Sequence, residues 1–152
     1  MARVNIILPT GRQQAGGFLL EALIGILIFA FGVLGIVGLQ AYSLRVTNES
    51  QYRAEAAYLA NTLMSDMWTD NYQTLKATYD STLGGAGYTK FKADVTNKLG
   101  NVWYADPTVV FDDKKAPSAN SSYATITVEF LLPGEPSPHQ YVTSGVVGQN
   151  LP

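Results

Sequence analysis

The chain has 152 residues, a net charge of −2 and an isoelectric point near 5.2. That length suits one compact domain plus an appendage, and that charge argues against a nucleic-acid partner. There is no cysteine, which excludes disulfides, thiolate metal sites and a cysteine nucleophile.

The hydrophobic share of 47% is ordinary. Its distribution is not. Between Arg12 and Arg45 lie 32 residues with a single charge, Glu21. The preceding stretch, MARVNIILPTGRQQAG, carries Arg3 and Arg12 and no acid. Basic residues before an apolar span hold that end in the cytoplasm. The span from Gly17 to Leu39 covers 23 residues, enough for a helix to cross a hydrocarbon core of about 30 Å. A secretory signal has an apolar core of only about 7–15 residues, so this run is too long to be one.

Glu21 argues against a plain anchor. A carboxylate in hydrocarbon costs roughly 2.5–3.5 kcal/mol at mid-span and less near an end. A partner would offset that cost. If the chain is cut after Gly16, Gly17 presents a new amine and Glu21 stands at +5, one helical turn away. The carboxylate also falls in the first turns of the helix, where the macrodipole favours negative charge. A cut after Gly17 would place Phe18 at +1 and Glu21 at +4. The glutamate spacing favours the cut after Gly16.

A basic leader ending in Gly, a cut, Glu at +5 and a long apolar helix resemble the class III signal of type IV pilins and type II secretion pseudopilins. Within that group, FLLEALIGILIFAFGVLGIVGLQA is similar to the PilV minor pilins, the pilus-modification proteins. The similarity continues through YRAEAAYLANTLMSDMW and weakly to YVTSGVVGQN. It covers about the first 70 residues well and the rest thinly. The chain departs from the family's common pattern in having Gly17 where Phe is usual. Unlike many major pilins, it has no Pro in the middle of the span.

Downstream, Ala56, Leu59, Ala60, Leu63 and Met67 recur at spacings of three and four, the period of an amphipathic helix. No Gly or Pro interrupts residues 39–83, so one helix is predicted from about Phe18 to about Asp70. Gly25, Gly32, Gly35 and Gly38 fall in its apolar half. They form no GxxxG motif and suit either simple tolerance in lipid or local softening on packing. The stretch TLGGAGY at 82–88 is predicted as a loop. Tyr88, Phe91, Val95 and Leu99 predict a short helix over 88–99, closed by Gly100. Strands are predicted at 108–112, 123–132 and 140–148. In the middle one Ala124, Ile126, Val128 and Phe130 share a face. Short polar connections make the sheet antiparallel, and the amphipathic half of the long helix covers it.

Residues for chemistry are few. His139, the only histidine, lies in a Pro-rich turn and reads as exposed. Asp112 and Asp113 lack calcium-loop spacing and read as a solvated turn. Ser118, Ser121 and Ser122 have no base beside them in sequence. Gly84, Gly85 and Gly87 do not follow a strand as a phosphate loop would. Met64, Met67 and Trp68 read as core. Trp103 and Tyr104 fit either core or a surface for a partner. No catalytic residue, metal site or cofactor is expected.

The fold expected is α+β: a long N-terminal helix, one half transmembrane and one half amphipathic, on a small antiparallel sheet, which the resemblance makes a type IV pilin fold. The domains expected are a leader at 1–16, a membrane or filament-core helix half at 17–44 and a periplasmic head at 45–152. The resemblance implies cleavage between Gly16 and Gly17 by a prepilin peptidase, N-methylation of Gly17 and subunit docking through Glu21. It implies inner-membrane insertion, then entry into a pilus beside other minor pilins and the major pilin, where the chain helps to prime assembly near the tip. A type II secretion pseudopilin shares this N-terminal logic. A membrane-tethered periplasmic binding domain or enzyme would need a convergent polar site in the C-terminal region.

Overall fold

The structure is a computed structural model and describes residues 15–148. The first helix, α1 (Ala15–Thr69), is followed by α2 (Leu75–Tyr79) and α3 (Ala86–Leu99). Strands β1 (Thr108–Asp112), β2 (Ser122–Phe130) and β3 (His139–Val147) follow, giving an α+β fold. The chain divides into two units, one ending at Leu44 and one beginning at Arg45.

In the first unit the side chains from Phe18 to Leu44 are all exposed. Phe18, Phe29 and Leu39 are at least 70% accessible. A Cβ built on Gly25, Gly32, Gly35 or Gly38 would meet nothing within 4 Å. The helix is long and apolar enough to span a membrane.

The second unit has its own core. Ala56, Leu59, Ala60, Leu63 and Met67 bury one stripe of α1. Leu75 and Tyr79 of α2 and Tyr88, Phe91, Val95 and Leu99 of α3 join them. So do Val109, Ala124, Ile126, Val128, Phe130 and Val147 from the sheet. The strands lie in the order β1-β2-β3, antiparallel throughout. Register follows from the alternation in β2: Ala124, Ile126, Val128 and Phe130 are fully buried, while Tyr123, Thr125, Thr127 and Glu129 are partly exposed. A slip of one residue would turn the buried set outward.

The elements depart from the sequence expectations at their edges. β2 ends at Phe130, two residues early, because the Leu131 N–H leaves the ladder to bond the Val102 carbonyl at 2.8 Å. The loop read at 82–88 yields its last three residues to α3, whose N-cap is Gly85. A Cβ on Gly85 would stand 2.1 Å from the Ala77 carbonyl oxygen and 2.6 Å from that of Thr78. Both obstacles are backbone and cannot rotate away. Gly85→Ala is therefore expected to lower stability by about 1–3 kcal/mol, as overpacking does. Denaturant unfolding of the head checks this, with Gly134→Ala, which meets no atom but has positive φ, reporting backbone strain alone.

Candidate functional site

The residues predicted to act in processing and docking lie at the start of α1. Residues 1–14 of the expected leader are outside the described residues, and Ala15 and Gly16 are described only as helix. Gly17 is helical, and Glu21 stands one turn on, exposed, the only charged side chain of α1 before Arg45. Every other helix position from Phe18 to Leu39 is uncharged. Among the described residues, this lone carboxylate stands between exposed apolar side chains with no charged side chain within a turn on either side.

The head half of α1 has a second face that the sequence reading missed. Gln51, Ala54, Tyr58, Asn61, Ser65 and Trp68 recur at alternating spacings of three and four, and all are exposed. None is charged. Tyr58 is 62% and Trp68 51% accessible. Trp68 thus corrects the expectation that it joins Met64 and Met67 in the core. Met67 is fully buried and Met64 packs partly against the core. Trp68 is one residue past Met67, about 100° around the helix, and so falls on the open face. Trp103 and Tyr104 are also exposed surface aromatics.

His139 is the second correction. It opens β3 instead of lying free in a turn, and its side chain is only 26% accessible. Its Nε2 bonds Glu135, its Nδ1 lies 3.5 Å from Glu49, and its ring stacks on Phe130 at 5.5 Å. Arg45 Nε donates to Glu135 at 2.8 Å. His139 and Arg45 together hold the Glu135 carboxyl below its ordinary value. This cluster ties the turn before β3 to α1. The sequence carried one faint sign of it: Arg45 and Glu49 are four residues apart, as are Glu135 and His139. What places the two pairs together is the long-range fold.

The other sequence candidates have structural partners. Asp113 accepts a 2.5 Å bond from Ser122 Oγ and pairs with Lys76, which lowers its pKa, the lysine first. Asp112 Oδ1 accepts from the Lys114 N–H at 3.0 Å and closes the short turn at 113–115. The Ser121 hydroxyl is engaged with Ser118. Among the described residues no three His, Asp or Glu side chains group as metal ligands would. Among the described residues of the head, one half-open groove of about 110 Å³ lies between Leu63, Asp66, Tyr79 and Phe91, and another of about 140 Å³ lies between Tyr72, Lys76, Asp113 and Ser122. Both are far below the roughly 300–1,000 Å³ of a small-molecule site.

Tyr79 offers a direct test of the first groove. Its pKa is pushed up to about 12 by burial, helped by its 3.0 Å bond to Asp70 and by the charges of Asp70 and Asp66. Because the folded value exceeds the unfolded one of about 10, the stability it contributes is present below pH 10. It is lost as pH rises through 10 towards 12. Ultraviolet titration of wild type minus Tyr79→Phe should show one phenol ionising near pH 12; a component near 10 would refute the buried bond.

Comparison with protein-family models, curated proteins and solved structures finds no match.

Proposed function

We propose that this chain is a minor type IV pilin of the PilV kind and that its described fold is a pilin fold. The observation that carries the reading is the single carboxylate of Glu21, one helical turn beyond Gly17 in an otherwise uncharged apolar α1. A prepilin peptidase would cut after Gly16 and the Gly17 amine would be methylated. The chain would wait in the inner membrane with its head in the periplasm. It would then enter a pilus with other minor pilins and the major pilin, helping to prime assembly near the tip.

The physical logic has two stages. In a membrane the exposed apolar side chains from Phe18 to Leu39 are solvated by lipid, as their burial in water-free surroundings requires. In a filament the same side chains are covered by helices of other subunits. The uncharged face of Tyr58 and Trp68 supports continued helix packing in the head, since no charge there must be desolvated.

The deciding experiment is mass spectrometry of the mature N-terminus in a host with a working prepilin peptidase. The expected product begins at Gly17, carries one methyl group and has 136 residues, 152 less the leader's 16. Gly16→Leu should leave the leader attached. A terminus beyond Phe18, or an uncut wild-type chain, sinks the reading.

A further inference from the structure

The two edges of the sheet differ. β1 is five residues long, and Ser81 covers part of its outer edge: the Ser81 N–H and hydroxyl both donate to the Val109 carbonyl at 3.0 Å. β3 is nine residues long and pairs with β2 along its whole length. Among the described residues its other edge has no strand beside it, and no backbone hydrogen bond joins it to a loop. Exposed edges are ordinarily blunted by lysine, proline, a bulge or brevity. HQYVTSGVV has no lysine, no proline, no carboxylate and no break in register.

An open row of N–H and C=O groups at strand spacing specifies its own ligand, because only another extended backbone presents the matching row. The side chains along the edge narrow it further. Val142 is 50% accessible on the solvent face. Tyr141, Thr143 and Gly145, on the α1 side, are half-buried and uncharged. The charges nearest the strand lie at its start instead, at Glu135 and His139. A strand with charges in its middle would have to desolvate them beside Tyr141 and Thr143. A centrally uncharged, β-branched strand would not.

We propose that the free edge of β3 is a strand-addition site that takes an extended, centrally uncharged segment from a neighbouring subunit of the same assembly. Only the identity of the donor rests on the pilin reading; the edge chemistry does not. The added strand would become the fourth of the sheet and shield the inner side of Tyr141. It would fix the head of this chain against its neighbour through backbone bonds, a contact separate from the one assigned to Glu21.

The test uses the full chain in detergent and a labelled, end-blocked peptide with the β2 sequence, SYATITVEF. That strand already matches β3 over nine registered positions, so its side chains alternate correctly for the other edge. Two versions carry backbone N-methyl groups, one at the positions of Tyr123, Thr125 and Thr127, the other at those of Ala124, Ile126 and Val128. Successive N–H groups of a strand point to opposite edges, so each version has one blocked edge. Fluorescence anisotropy should show saturable binding for one version and at least about tenfold weaker binding for the other, since several backbone bonds are lost together. Equal binding of both would mean side-chain stickiness, and binding of neither would mean a closed edge; either result overturns the proposal. Sedimentation of the chain without peptide should show a monomer. Self-association that the peptide dissolves would give the edge to a second copy and overturn the neighbour assignment. The outcome is independent of the mature N-terminus. A cleaved chain that binds neither peptide refutes the edge alone, and an uncut chain that binds one refutes the pilin reading alone.

Discussion

Phe130→Ala is expected to lower the stability of the head by about 3–5 kcal/mol, the range for truncating a buried aromatic side chain. Phe130 is fully buried at the end of β2. Its ring lies 6.3 Å from that of Tyr52 on α1 and 5.5 Å, stacked, from that of His139 on β3. Its backbone bridges Trp103. One side chain thus touches the helix, the last strand and the aromatic end of the Arg45–Glu135–His139 cluster. Removing it opens a cavity and takes away the platform on which the histidine rests. A domain of this size has only about 5–15 kcal/mol to lose. Each kcal/mol shifts the midpoint by about 2–8 °C in domains of 60–250 residues. Thermal melting of a fragment from Arg45 onward reads the effect, because every buried core side chain lies between Ala56 and Val147. Val142→Ala, on the solvent face, should change the midpoint by less than about 0.5 kcal/mol equivalent. A Phe130→Ala loss that small would mean that the ring is not the keystone its contacts indicate.

The same residues show what was legible in advance. The 3–4 spacing from Ala56 to Met67 and the alternation from Ala124 to Phe130 are single-segment periods, and each names its buried face without a partner in view. β1 was read to the residue because Pro107 and a polar turn bracket five apolar-leaning positions. α2 was missed because five residues are too few to show a period; its place is set by burial of Leu75 and Tyr79 against other elements. Trp68 was misread because an aromatic adjacent to a core position looks apolar in sequence whichever face it takes. The His139 cluster was hidden for another reason. Glu49 and His139 are 90 residues apart, and only the packing of β3 beside α1 brings them together. Glu21 stood out from the start because its neighbours are uncharged, a contrast that needs no fold to be seen.

On the proposed pilin reading, Glu21→Ala is expected to leave cleavage and membrane insertion intact while lowering pilus number and the yield of crosslinked minor-pilin complexes. The proposed processing site would end at Gly17, and replacing a carboxylate by a methyl group makes the span more apolar, so neither earlier step should suffer. Assembly should. When helices of several subunits close around the start of α1, water leaves, and both a bare carboxylate and a bare terminal ammonium become costly to bury. Pairing Glu21 with the Gly17 amine of a neighbour, as proposed, would remove both penalties together. The mutant removes one charge and strands the other, which is worse than removing both. Such a pair would also set an axial offset, since only one stagger between neighbouring helices would bring the two groups within reach. Loss should therefore appear as fewer correctly staggered complexes and not as a weaker membrane anchor. Surface-pilus counts and crosslinking yields measure the outcome, with Glu21→Asp restoring part of each because it keeps the charge on a shorter arm. Wild-type levels of both in Glu21→Ala would show that this carboxylate is not an assembly contact. A subunit with no neighbour above it has no amine for such a carboxylate to meet. A chain that needs Glu21 is therefore placed beneath another subunit, and crosslinks from position 21 should reach the N-terminal residue of a different chain.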